Sequence, residues 1–331
     1  MRLEITHETR YFYSDFVRES VMELWLQPLV LPLQRLVGFE IVTEPRAKIS
    51  TYRDWLGNIV YHFDLPEKHT DLTIRSRAMV ETFSRSEPLP NRLEAGAWTH
   101  LRSPKIVGQF FDMLRPSHFV AVTDLLVAFM QERDLAAIPP DPLTGLRALN
   151  HEIYEAFGYV PGVTTAESPI DEALQQRQGV CQDFAHIMLA IARHWGIPSR
   201  YVSGYVARKA SDTQFRSVPD ASHAWVECYL PEHGWVGFDP TNDMLADEHH
   251  VVVAYGRDYA DVPPTRGVLK GEASSELEVD VHVREREKLA LDSDFLKVVR
   301  SPRTRSDQFL FKTKPVKNAI LEIQLQMQQQ Q

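Results

Sequence analysis

The chain has 331 residues, more than one typical domain, and 44% of them are hydrophobic, enough to fill two or three cores. A net charge of −9 argues against a nucleic-acid partner, which wants a basic face. The opening MRLEITHETRYFY has no signal-peptide apolar region and no apolar run reaches membrane length, so a cytoplasmic protein with no membrane partner is expected.

Residues 1–84 read as an N-terminal β-rich domain. Leu3 to His7 and Val21 to Leu26 alternate, Leu36 to Ile41 follows, and Gly57-Asn58 sits between apolar flanks as a hairpin signal. Leu72 to Ser76 and Ala78 to Glu81 continue the pattern, and short strands at this spacing suggest an antiparallel sandwich. His7, His62 and His69 have no nucleophile beside them in the pattern and read as ordinary strand or surface residues. Residues 85–150 read as a connection, punctuated by Pro88, Pro90, Pro104 and Pro116, followed by helices over Phe119 to Glu132 and Leu146 to Phe157 that pack on what comes next.

Residues 151–285 read as the core that the rest serves. Ser168-Pro169-Ile170-Asp171 caps a short helix that stops near Gly179, and a second helix starts at Cys181. Phe184, Ile187, Met188, Ile191, Ala192 and Trp195 recur near the 3.6-residue period, and Gly196 ends the run with Pro198 just beyond. A cysteine at a helix start faces N–H groups and the positive end of the dipole, which favour the thiolate; a small buried core residue is the competing reading.

Arg200 to Val206 is the next strand, and the polar stretch Ser211 to Asp220 reads as a loop at a cleft rim. Ala221 to Leu230 alternates as a strand, with His223, Trp225, Glu227 and Tyr229 on one face. After a turn at Pro231 to Gly234, a second strand runs from Trp235 to Asp239, where Pro240 stops the ladder. A cysteine nucleophile needs a base within hydrogen-bond reach, and the base needs an orienting carboxylate. Cys181, His223 and Asp239 supply one of each. Val251 to Tyr255 and Val279 to Val283 read as further strands. Residues 286–331 read as a partly irregular C-terminal extension, with a possible strand at Leu321 to Met327 and a low-complexity Gln end.

The segments GVCQDFAH, GIPSRYVSGY, SHAWVE and GWVGFDPTN resemble the bacterial transglutaminase-like family, whose members are described as cysteine-protease-like, over Tyr154 to Thr241. His223 lies 42 residues after Cys181 (223 − 181) and 16 before Asp239 (239 − 223), in agreement with that resemblance. It implies an α+β, papain-like core, a nucleophile helix packed on an antiparallel sheet, preceded by an antiparallel β-sandwich-like domain. By the same resemblance Cys181 is the nucleophile, His223 the general base and acid, and Asp239 the orienting carboxylate.

Other residues compete for roles. Trp225 and Trp235 flank the His and Asp positions as cleft walls or, on the blander reading, as core. Asp183 in the first turn reads as a helix-dipole acid, and His186, about 140° round the helix from Cys181, as a structural residue. Asp243 is the alternative to Asp239 but lies past the strand end. The Cys181 N–H is a natural oxyanion donor, and the second donor is open among the side-chain amides of Gln175, Gln176 and Gln178. With no Cys-x-x-Cys, no His-x-x-x-His and no Asp-rich loop, neither zinc nor calcium is expected, and no cofactor. A structural disulfide between Cys181 and Cys228 is not expected either. The expected activity is cleavage of an amide or peptide bond in a peptide or protein substrate through an acyl-thioester. Acyl transfer to an amine and a non-catalytic protein-binding scaffold are the alternatives.

Overall fold

The structure, a computed structural model, describes residues 1–208, 212 and 215–287. The N-terminal strands are β1 (Arg2–Val17), β2 (Glu19–Leu24), β3 (Gln34–Glu44), β4 (Ser50–Arg53), β5 (Ile59–Leu65) and β6 (His69–Thr82). Helices α1 (Ala97–Leu101), α2 (Pro104–Gln109), α3 (Asp124–Glu132) and α4 (Pro142–Ala156) follow. Then come β7 (Gly158–Tyr159), α5 (Ile170–Gln176), β8 (Gln178–Gly179), α6 (Cys181–Trp195), β9 (Ser199–Val206), β10 (Ser222–Leu230), β11 (Gly234–Asp239), β12 (Met244–Leu245) and β13 (His250–Gly256). The described chain closes with β14 (Thr265–Lys270) and β15 (Ser275–Glu285). The possible strand at Leu321 to Met327 lies outside the described residues.

The first domain is a pair of four-stranded antiparallel sheets, ordered β15-β1-β6-β3 and β14-β2-β5-β4. Tyr11, Met22, Leu24, Phe63, Leu72 and Ile74 fill the space between them. The division of the chain at residue 285 needs correcting here. The sequence reading assigns Val279, Val281 and Val283 to the core, whereas β15 pairs along β1 from Leu3↔Glu285 to Tyr13↔Ser275, and β14 pairs with β2. Alternation identifies a strand but carries no information about its partner, so the chain's return to the first domain is invisible locally. The stretch 85–117, read as part of a connection, contains α1 and α2. Ser103 caps α2, its hydroxyl accepting from the Ile106 N–H at 3.4 Å, and Pro104 sits in the first turn.

The second domain is built on α6. Fourteen of its fifteen residues are buried, all but His194. A helix buried on every side belongs between two layers. One layer is the sheet β12-β11-β10-β9-β13; the other holds α4 and α5, with Leu146, Leu149, Ile153, Ala173 and Leu174 in the same apolar cluster. Arg193 is buried near the C-terminal end and satisfied, donating to the Ser199 carbonyl at 2.9 Å and the Arg115 carbonyl at 3.0 Å. Trp195 Nε1 donates to the Leu135 carbonyl at 2.9 Å. Burying one such large apolar side chain stabilises by about 2–3 kcal/mol, so α6 is a rigid post. The domains meet through the start of β1: Leu3 and Ile5 join the second core, and His7 Nδ1 and the Tyr205 hydroxyl lie 2.8 Å apart.

Candidate active site

Cys181 is the first residue of α6, with Val180 as its extended N-cap. Valine has no side-chain acceptor, so Asp183 does the capping: its carboxylate reaches back to accept from the Val180 N–H at 2.9 Å and from the Thr164 hydroxyl at 2.6 Å. Burial pushes this carboxyl up to about 6, against the hydrogen bonds from Thr164 and Val180. Gly179 is required beside it, since a Cβ there would stand 2.8 Å from Asp183 Oδ2. The helix end, and with it the thiol, is thereby held at one angle.

The antiparallel hairpin β10–β11 places the two other groups. His223 is the second residue of β10 and Asp239 ends β11; both are buried, and His223 Nε2 donates to Asp239 Oδ2 at 2.8 Å. His223 also hydrogen-bonds with Cys181. Since Nε2 is given to Asp239, Nδ1 is the nitrogen left for the thiol. Burial by itself would lower the imidazole's proton affinity. The Asp239 charge and hydrogen bond, with the Cys181 contact, override it and push His223 up to about 10. Asp239 is held well below the usual carboxylate range: burial opposes this, and His223 and His250 outweigh it.

Asp239 is fully satisfied. Oδ2 accepts from His223, from Asn242 Nδ2 at 2.7 Å and from His250 Nε2 at 3.2 Å. Oδ1 accepts the backbone N–H groups of Thr241 at 3.0 Å and Asn242 at 3.3 Å. The side chain of Asn242 then turns its oxygen to the N–H groups of Arg216 at 2.7 Å and Ser217 at 3.0 Å, tying the rim loop to the carboxylate. Asp243, the alternative third member, faces elsewhere, accepting from His151 Nδ1 at 2.7 Å and Asn150 Nδ2 at 3.3 Å.

The remaining candidates are spread out. Trp225 is fully buried in a separate cluster with Leu29, Val202, Val252 and Tyr255, its ring 6.1 Å from the His223 ring. It is core rather than an open wall. Trp235 is half-buried against Phe110 and Tyr229, with the Arg200 guanidinium 4.2 Å from its ring centre. Gln175 and Gln176 are exposed on α5 and Gln178 on β8. His186 is buried, stacked on Phe119, and accepts from the Tyr259 N–H at 3.2 Å. Burial pushes it down to about 3. Cys228 is buried in β10, 3.4 Å from the Ser199 hydroxyl, and burial pushes its thiol up to about 12.

Three site residues escaped the sequence reading. Burial, with Cys181 and Asp239 close by, raises the Tyr159 phenol, whose oxygen takes the Val218 N–H. Its pairing opposite Gly179, two residues before Cys181, comes from the parallel β7–β8 bridge, which two-residue strands do not announce. Asn242 stands in the quoted GWVGFDPTN segment, and an Asn after a Pro turn is a common local acceptor. His250 begins a strand and had only the doubled His249-His250 as a signal.

His223, Asp239 and His250 each bring one ligand atom within 4.8 Å of the others, a donor set that zinc accepts. A tetrahedral zinc spaces its ligand atoms about 3.3 Å apart. The His223–Asp239 separation of 2.8 Å is that of a protonated bridge, and the Asn242 N–H on the same oxygen needs a lone pair that a cation would claim. The donors fit hydrogen bonding better than a metal.

Comparison with known proteins agrees with this architecture. Residues 3–81 match the Bacterial transglutaminase-like N-terminal region and residues 131–240 the Transglutaminase-like superfamily core. An uncharacterized protein of Mycobacterium leprae is 34% identical over 282 residues, 85% of this chain and 98% of that protein. One of Mycobacterium tuberculosis is 36% identical over 298 residues, 85% of this chain and 91% of that one. A protein-glutamine gamma-glutamyltransferase of Pseudomonas aeruginosa is 37% identical over 109 residues, 31% of this chain but 15% of its own length. The solved structure of "a Putative Cysteine Protease from Cytophaga hutchinsonii" superposes with a TM-score of 0.66 at 22% identity, covering 87% of this chain and 92% of that one, a likeness of fold. With its papain-like core behind a β-rich first domain, the chain belongs to the bacterial transglutaminase-like proteins of the transglutaminase-like superfamily.

Proposed function

We propose that this protein is a thiol hydrolase that cleaves an amide or peptide bond through an acyl-thioester on Cys181. The observation that carries the reading is the chain of hydrogen bonds from Cys181 to His223 to Asp239, buried at the start of a rigid helix. The His223 imidazole, hydrogen-bonded with Cys181, is the base that takes the thiol proton as the nucleophile forms. In the first half-reaction Sγ attacks the carbonyl carbon, the C–N bond breaks, and His223 passes its proton to the leaving amine. The developing oxyanion is met by the backbone N–H at the α6 start. In the second, His223 takes a proton from water as the water oxygen attacks the thioester, and the acid and free thiol are released. Asp239 keeps the Nε2–H tautomer and stabilises the imidazolium in both.

Acyl transfer to an amine is the second reading. It is favoured by the partial likeness to the Pseudomonas aeruginosa gamma-glutamyltransferase, 37% identical over 109 residues. Both reactions share the intermediate. The test is intact-mass detection of an acyl adduct on Cys181 during incubation with a peptide library, followed by turnover in labelled water with and without millimolar primary amine. Labelled acid as the main product supports the hydrolase. A dominant amine conjugate moves the assignment to acyl transfer. No adduct in wild type under any condition overturns both and favours a binding scaffold.

A further inference from the structure

Behind the catalytic carboxylate stands a second imidazole that the reaction as written does not use. His250 is buried at the start of β13, its ring edge-on to Trp225 at 5.2 Å and 6.3 Å from the His223 ring. Its Nε2 lies 3.2 Å from the Asp239 Oδ2 that His223 uses. A carboxylate only accepts, so Nε2 of His250 carries the hydrogen. Its Nδ1 meets Asp247 in two ways, accepting from the Asp247 N–H at 3.2 Å when neutral and donating to Asp247 Oδ1 at 3.2 Å when charged. In both protonation states Nε2–H points at Asp239. The groups that face it are Asp239 from β11, His223 from β10, and Asp247 from the preceding turn, whose carboxylate is shared with His249 at 3.0 Å.

We propose that His250 is a positioning residue of the active site, acting through Asp239: its Nε2–H shares the charge on Oδ2 and, anchored by Asp247, fixes that oxygen toward His223. The proposal rests on the Cys181–His223–Asp239 reading. A buried carboxylate oxygen with one donor fewer holds the remaining proton more tightly. Without His250, therefore, His223 gives up its proton at higher pH. A side chain that only filled space would leave that property alone.

The experiment needs no substrate. The rate of iodoacetamide alkylation of Cys181 is followed by intact mass from pH 4 to 11 in wild type, His250→Leu, His250→Gln and Asp239→Asn, with melting temperatures measured alongside. His250→Leu raises the upper inflection, where His223 loses its proton, by about one pH unit, the tenfold effect of one hydrogen bond to a charged group. His250→Gln, whose amide N–H reaches the same oxygen, stays within about 0.3 of wild type. Superimposable Leu and wild-type profiles overturn the proposal, as does an equal displacement in Leu and Gln. Zinc that blocks alkylation in wild type but not in His250→Leu makes the trio a cation site and overturns it too. If wild-type Cys181 shows only the single inflection of a free thiol near pH ~8.5, the triad reading falls and takes this proposal with it.

Discussion

Replacing Asp239 with asparagine removes one charge and turns one acceptor into a donor, and the surroundings leave it no good orientation. With the amide oxygen at the Oδ1 position, the Thr241 and Asn242 N–H groups keep their acceptor, but the new NH2 faces His223 Nε2, His250 Nε2 and Asn242 Nδ2. His223 must then move its proton to Nδ1, the nitrogen turned to Cys181, and can no longer accept from the thiol. With the amide flipped, the imidazole keeps its tautomer but two buried backbone donors face an NH2. Each such orphan costs about 1–3 kcal/mol, and breaking a buried charged pair about 3–5 kcal/mol. Asp239→Asn is therefore expected to fold with about 3–5 kcal/mol less stability in urea unfolding. Turnover should fall by about 10³–10⁴, the cost of a wrong tautomer in comparable triads. The direct assay is Cys181 alkylation at pH 7, expected to drop at least about tenfold toward the rate of a free thiol, which is only a few per cent thiolate there. A folded Asp239→Asn protein alkylating within about threefold of wild type, with an unchanged pH profile, would refute the reasoning.

Asp243→Asn should be mild, because asparagine tolerates the left-handed φ of 52° and the partner His151 is exposed. Alkylation within about twofold and stability within about 1 kcal/mol are expected, and a large loss would show that Asp239 is not the third member. Gly204→Ala should cost upwards of about 3 kcal/mol or prevent folding, since its Cβ would stand 2.0 Å from the Val251 carbonyl oxygen and 2.7 Å from the Trp225 ring; near-wild-type denaturant midpoints would contradict the packing described. Stability should peak near pH 6.5. Burial pushes His7 down to about 4 and His186 to about 3, so below the ordinary histidine value the unfolded chain binds more protons, and each costs about 1.4 kcal/mol per pH unit as pH falls toward those values. His223 runs the other way: its contribution is complete below pH 6.5 and lost as pH rises through about 10. Melting temperature against pH is the check, and an acid limb with the same slope in His7→Gln would count against the account of it.

The helix that carries Cys181 was legible in the sequence because everything that makes it is local. The 3.6-residue recurrence from Phe184 to Trp195, the stop at Gly196 and the acid at Asp183 predict a helix that begins at Cys181 and ends at Trp195, as observed. The hairpin of His223 and Asp239 was legible for the same reason, since alternation and the Pro240 stop are properties of neighbouring residues. What only the tertiary structure decided is pairing at long range. Residues 275–285 read as one more strand, but nothing in their alternation says that they lie along β1, some 270 residues away. Trp225 shares a face with His223 in the pattern, and only packing against Leu29 and Val252 makes it core instead of a cleft wall. His250 reaches Asp239 because β13 lies next to β9 and the turn at Asp247 aims its ring, neither of which a single sequence window contains. Local periodicity selects each element, whereas the burial that pays for ordering it comes from partners distant in the chain, and the second imidazole on the Asp239 carboxylate exists only once those partners have met.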